Sequence, residues 1–280
     1  MCKVKCKVQS VKRTTPALHL QHAPLIYVVA QVRFSAVVAI EKYLPEIQEQ
    51  LRHKGLPRFM RGQVHEISIQ PDGPPKFTAA ERFEFQNKDA SLGIVLQANS
   101  VAIHTNQYSN YEAFDEQVKT ALMSVHRIVN ISLSERIGLR YVNLIRLGEG
   151  EKWTDYLHQG LLGLDPRSAG VEKWTSRSES LGATGVGQLA VRCSQSEQPL
   201  PPDLLTSTLA YSAPLAGRGE IVTTLDFDHF VEQTSDFKVS DAISTLDHLH
   251  ESLDRVFMAS VTSNALAKWG KVENQNARHD

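Results

Sequence analysis

The sequence predicts an α+β protein of two lobes, each an antiparallel sheet covered by amphipathic helices. Three observations predict it. Short segments in which apolar and polar residues alternate recur through both halves, the period of half-buried strands. Two long segments, near 111–129 and 240–260, repeat apolar residues at helical spacing. Each half also runs in the same coarse order, strands, a hairpin and then a helix, on either side of a turn at Gly148–Gly150. The order strand–helix–strands–helix–strand in the first half is that of a ferredoxin-like sandwich. The expected divisions are a basic tail over 1–22, a first lobe over 23–148, a second over 149–270 and a polar tail over 271–280.

The first strand is Leu25–Phe34, with Ile26, Val28, Ala30, Val32 and Phe34 on one face and Tyr27, Gln31 and Arg33 on the other. A helix follows to about Lys54 through Ile40, Leu44, Ile47 and Leu51; Gly55 stops it, and Pro45 suits its first turn. Strands are expected at 64–70, 81–87, 92–97 and 100–106, the last two joined by a turn at Ala98-Asn99. Ser109-Asn110-Tyr111-Glu112 matches a capping box, opening a helix with a stripe of Tyr111, Phe114, Val118, Leu122, Val125 and Val129. The strand Arg136–Leu147 comes next. It sets Tyr141, Asn143 and Ile145 on one face, and Arg140, Val142, Leu144 and Arg146 on the other. In the second half, Trp153–Leu164 reads as helix. Strands are expected near 170–178, 185–193, 206–213 and 219–228, with a proline-rich loop at Gln195–Asp203. The last long helix, about Ser240–Ser260, carries Ile243, Leu246, His250, Leu253 and Phe257 on one side.

With 41% hydrophobic and 22% charged residues, the chain has the composition of a folded domain and not of a disordered one. Its longest apolar run, Ala23–Ala30, is too short to span a bilayer, and the basic start has no apolar segment of a signal peptide behind it. Three cysteines, Cys2, Cys6 and Cys193, do not make a disulfide framework. A cytoplasmic protein is expected. The net charge of -1 hides an asymmetry: residues 1–62 carry 11 Lys and Arg against 3 acids, so the remainder is acidic. A basic end of this kind is a candidate contact surface for nucleic acid or an acidic partner. Its residues are Lys3, Lys5, Lys7, Lys12, Arg13, Arg52, Arg58 and Arg61. Arg33 and Arg140 join them, because an Arg on a strand face either pairs with a carboxylate or faces a cleft.

No motif announces catalysis. Gly182–Gly187 resembles a nucleotide loop, but strand-like sequence follows where a helix start is needed, so a hairpin turn is expected. Asp226, Asp228 and His229 end a strand and are the weak candidates for a divalent cation. Asp247, His248, His250 and Glu251 crowd one helix without the matching ligands a di-metal bundle site requires. His250, on the apolar stripe, is expected to be a hydrogen-bonded core histidine.

Three stretches resemble a sporadically distributed bacterial family that has no assigned activity. They are Ala23–Val29 with Arg33-Phe34, then Ile137-Gly138-Leu139-Arg140-Tyr141-Val142-Asn143, then Leu246–His250 through Phe257, Thr262 and Trp269. The resemblance spans most of residues 23–270. It implies a bacterial origin and patchy inheritance of the kind associated with mobile elements and defence systems, and it carries over no catalytic residue.

The leading expectation is therefore a non-enzymatic binding or accessory protein, in a bacterial defence or toxin–antitoxin setting, without a cofactor. Its first partner would be a protein; a homo-oligomer stays open, and no membrane is implied. One alternative is an RNA-binding or RNA-processing protein using the basic lobe. The other is a metal-dependent hydrolase using Asp226, Asp228 and a histidine.

Overall fold

The computed structural model describes residues 20–68, 76–164, 170–171, 174–205 and 207–270. The strands are β1 (Leu25–Phe34), β2 (Arg58–Ser68), β3 (Lys76–Gln86), β4 (Leu92–Gln97), β5 (Ser100–Thr105), β6 (Leu133–Ile145), β7 (Ser176–Ala183), β8 (Gln188–Ser196) and β9 (Val222–Asp236). The helices are α1 (Leu44–His53), α2 (Tyr111–Val129), α3 (Val239–Ser260) and α4 (Ser263–Lys268). No helix among the described residues is long and apolar enough to cross a membrane.

The α+β class stands, but the two expected sheets are one. The nine strands pair antiparallel in the order β2-β3-β4-β5-β1-β6-β9-β8-β7. The halves fuse because β6 is paired on both edges. It takes β1 from Leu25↔Asn143 to Phe34↔Ser134, and β9 from Leu133↔Asp236 to Ile145↔Thr223. Leaving β6 as the edge of a separate lobe would expose a long row of unpaired amides.

The helices lie on one face of this sheet, where the main core forms. Val28, Ala30, Val32 and Phe34 of β1, Ile94 and Leu96 of β4, Val101 and Ile103 of β5, and Leu139 and Ile145 of β6 supply its floor. Phe114, Val118, Leu122 and Val125 of α2 and Leu246, Leu249, Leu253 and Phe257 of α3 close it from above. The stripe of α2 is the one its sequence shows, but the cap is Asn110, whose side chain accepts the Ala113 amide at 2.8 Å, one residue after Ser109. Asn130, at φ 55°, ends the helix in the left-handed conformation a C-cap favours.

Three local expectations change. Ile26 leaves the core face, because a bulge between Leu25 and Tyr27 shifts the β1–β6 register. It packs instead with Tyr27, Val142, Leu204 and Leu209 in a smaller cluster on the other face. Trp153–Leu164 is not an α-helix but two 3-10 turns, Trp153–Asp155 and Gln159–Leu161. The backbone between them is claimed by a bridge from Leu157 to Val261 and by the Thr262 amide, which donates to Tyr156 O at 2.9 Å. Finally, the described part of 206–213 is irregular and not strand. It belongs to a strap, beginning at Pro199, laid over the helix-free face. The loop after Gly182 is a hairpin turn between β7 and β8, as its sequence context required.

Candidate functional site

Two lines of Tyr, His and carboxylate cross the middle of the sheet, one on each face. Their tyrosines are near neighbours: Tyr27 pairs with Val142, and Val28 with Tyr141. Alternation along β1 and β6 then sends the two phenols to opposite sides.

On the helix-free face, the Tyr27 hydroxyl lies 3.0 Å from His104 Nδ1, and His104 Nε2 lies 3.0 Å from Glu84 Oε1. A carboxylate only accepts, so His104 Nε2 donates to Glu84. Glu84 collects three more donors: Gln86 Nε2 at 2.8 Å, Arg82 at 2.7 Å and the Thr208 hydroxyl from the strap. Burial alone would raise this carboxyl, but the hydrogen bond and charge of His104, the Thr208 hydrogen bond and the Arg82 charge outweigh it and hold the group at about 2. Gly93 makes the arrangement sterically feasible, since a Cβ there would stand 2.4 Å from His104 Nε2.

The same face carries an arginine–carboxylate network across β6, β9 and β8. Arg140 is bidentate to Asp226, at 2.7 and 2.8 Å, and reaches Asp203 of the strap. Arg192 approaches Asp226 at 3.5 Å and Glu179 at 2.6 Å. Arg136 lies 3.5 Å from Asp228, with its guanidinium 4.2 Å from the Phe230 ring centre. Between these groups and the strap is a cleft of about 410 Å³, lined by cations and carboxylates together, among them Arg82, Arg136, Arg140, Asp203 and Asp228.

On the helix face, the Tyr141 hydroxyl lies 3.0 Å from His250 Nδ1, and His250 Nε2 is 3.5 Å from Asp254 Oδ2, one turn further along α3. The Tyr108 hydroxyl is 3.5 Å from that of Tyr141. The Tyr111 ring stacks on His250, with centroids 3.8 Å apart and planes 13° from parallel. These groups line a cavity of about 600 Å³, bounded by residues 20–25, by the start of α2 and by Asn143, Phe227 and Phe257.

Burial raises the Tyr141 and Tyr27 phenols well above the ordinary tyrosine range. Both stay protonated at any working pH and act as hydrogen-bonding groups rather than bases or nucleophiles. Burial also pushes the Cys193 thiol up to about 12, which keeps it inert.

The described candidates read from the sequence do not gather in one place. Lys3, Lys5, Lys7, Lys12 and Arg13 lie outside the described residues. Arg33 and Arg136 are cross-strand neighbours on the helix-free face. Arg52 pairs with Glu49 at 2.7 Å, and Arg58 donates to the Lys88 carbonyl at 3.4 Å. Arg61 pairs with Glu81 and with Glu41, at 2.8 and 3.1 Å. Arg58 and Arg61 belong to the edge strand β2, four strands from β1, or about 19 Å at ordinary strand spacing. Arg140 is the strand-face arginine that found carboxylates. Asp226 and Asp228 share a face, whereas His229 points to the other, where its ring contacts Leu249 O at 3.2 Å and the Thr184 hydroxyl at 2.9 Å. These three cannot close on one ion, and no group of three or more metal-ligating side chains occurs among the described residues.

Sequence reasoning found His250 as a core histidine but missed both lines, because their members lie as far as 77 and 109 residues apart. The available signal was a polar residue recurring on one strand face: Arg82, Glu84 and Gln86 of β3 alternate with core Phe83 and Phe85, and His104 follows core Ile103. Comparison with protein-family models, curated proteins and solved structures gave no match.

Proposed function

We propose that this chain is a binding protein whose ligand is a small molecule seated in the cavity between the start of α2 and the side of α3. The observation that carries the reading is the composition and size of that cavity. About 600 Å³ is the volume of a small-molecule site, and its walls combine aromatic and apolar surface with polar groups on several sides. Tyr141, His250 and Asn143 supply directional hydrogen bonding at the floor, while Phe227, Phe257, Tyr111 and Leu25 supply apolar surface. The protonated phenol and the inert thiol favour recognition over nucleophilic or general-base chemistry. The setting we propose, accessory to a bacterial defence or toxin–antitoxin system, rests on the family resemblance.

The test is retention. The full chain is equilibrated with a bacterial small-molecule extract, desalted and examined by native mass spectrometry. A single compound held at one per chain, and lost in a Tyr141→Phe, His250→Phe double variant that remains folded, supports the reading. Retention of nothing, with an unchanged melting temperature in the extract, refutes it.

A further inference from the structure

We infer that Asn143 reads the ligand, and that the ligand carries a cis-amide edge, an N–H beside a C=O as in a lactam or pyrimidinone ring. This deepens the ligand-site reading above and rests on it. Asparagine is depleted in strands, yet Asn143 stands inside β6, which is paired on both edges. Strand alternation puts it on the face of Tyr141 and Ile145, toward the helices. There it is 3% exposed and lines the cavity of about 600 Å³. The bulge in β1 falls at this point of the ladder: Leu25 pairs with Asn143, and the next pair is Tyr27 with Val142. Such breaks re-aim side chains and recur beside active sites.

The amide is buried with hydrogen-bonding capacity in hand. Nδ2 donates to Leu225 O at 3.5 Å, beyond the usual length of such a bond, and no donor among the described residues reaches Oδ1. Tyr141, two positions earlier on the same floor, differs: its hydroxyl is engaged by His250 Nδ1 at 3.0 Å and by the Tyr108 hydroxyl at 3.5 Å. A buried amide left in this state is costly, and native chains keep few such groups. A carboxamide sets an acceptor oxygen and a donor nitrogen side by side. The group that answers both at once is another amide edge in the reverse order, the pairing by which asparagine reads the edge of a base. A ligand with acceptors alone answers one half and leaves the other buried and unpaired.

The experiment titrates 2-quinolone, 1-methyl-2-quinolone and quinoline into the full chain by calorimetry. The three share a bicyclic body, and only the first has the N–H beside the C=O. It should bind about tenfold more tightly than either analogue. Asn143→Leu should erase that preference, leave 1-methyl-2-quinolone binding unchanged and melt no lower than the parent, because an apolar side chain of similar shape replaces a poorly satisfied amide. Asn143→Thr, suited to a strand and lacking the amide pair, should erase it too and serves if the leucine variant does not fold. Equal binding of 2-quinolone and its methyl derivative, or a preference that survives in the variant, overturns the amide-edge assignment and leaves the cavity as a ligand site. Failure of all three probes up to their solubility limits overturns the assignment as well; if the extract also leaves nothing bound, the ligand-site reading falls with it.

Discussion

Glu84→Gln is the substitution whose consequence follows most directly from the structure. The carboxylate is 3% exposed and accepts from His104, Gln86, Thr208 and Arg82. A glutamine keeps the shape but turns one acceptor oxygen into a donor. Either Arg82 or the three donors on Oε1 must then face an N–H group, and Arg82 loses its charged partner. The size of the loss comes from linkage. The group sits at about 2 in the folded protein against 4.5 when unperturbed, and at 1.36 kcal/mol per pH unit this gap is worth about 3 kcal/mol. Breaking buried ion pairs by removing one partner costs a similar amount. The sign is that of a depressed carboxyl: its stabilisation is complete above pH 4.5 and fades as pH falls toward 2. Equilibrium urea unfolding followed by tryptophan fluorescence checks both parts. The variant should be about 3 kcal/mol less stable at pH 7, and the difference from the parent should shrink as pH drops from 4.5 toward 2. A loss under about 1 kcal/mol at pH 7, with the parent's acid dependence retained, would show that the donors around Glu84 do not stabilise its charge.

Further outcomes follow from neighbouring geometry. Gly93→Ala drives a methyl to 2.4 Å from His104 Nε2 and 3.0 Å from Glu84 Oε1, and should cost about 1–3 kcal/mol in the same assay. Gly62→Ala, with nothing within 4 Å of the new carbon, should be near neutral, and equal losses would remove the steric explanation. Asp226→Ala leaves Arg140 without its bidentate partner and should cost about 3 kcal/mol or more. Asp228 differs: burial raises its carboxyl despite Arg136 alongside, so its ionisation opposes folding as pH rises. Asp228→Asn should therefore be neutral or stabilising by up to about 1 kcal/mol at pH 7, and a loss as large as that of the Asp226 variant would reverse this assignment. Cys193 should react with an aromatic disulfide reagent only on denaturation when Cys2 and Cys6 are serine, and rapid native labelling would contradict its burial.

What the sequence made legible was local. The stripes of α2 and α3, the alternation of β1 and β6, the β4–β5 turn at Ala98-Asn99 and the β7–β8 hairpin all depend on residues within a few positions of one another. What it hid was long-range competition for backbone groups. Nothing near Arg136–Leu147 states that β9, some ninety residues on, will pair along β6 and join the halves into one sheet. The strap was misread as strand for the same reason. Its Thr208 and Ala210 carbonyls accept from Gln86 and Asn106, so they meet side chains of the helix-free face and not a neighbouring strand. The basic N-terminal asymmetry was genuine in composition, but its described arginines are distributed over β1, α1 and β2, and two of the four, Arg52 and Arg61, pair with glutamates.

The two Tyr–His–carboxylate lines show why residue types alone do not assign a site. Their chemistry is nearly the same, and both histidines are buried. The two acids differ in exposure, 3% for Glu84 against 30% for Asp254. Glu84 accepts four donors within about 3 Å and lies beneath a strap that contributes one of them, so little of its acceptor capacity is left for a ligand. That line holds strands β1, β3 and β5 to the strap. Asp254 stands 3.5 Å from His250 and lines the cavity of about 600 Å³. The same triplet fastens the strap on one face of the sheet and lines the larger cavity, our proposed ligand site, on the other. Burial of the acid, not residue identity, separates the two.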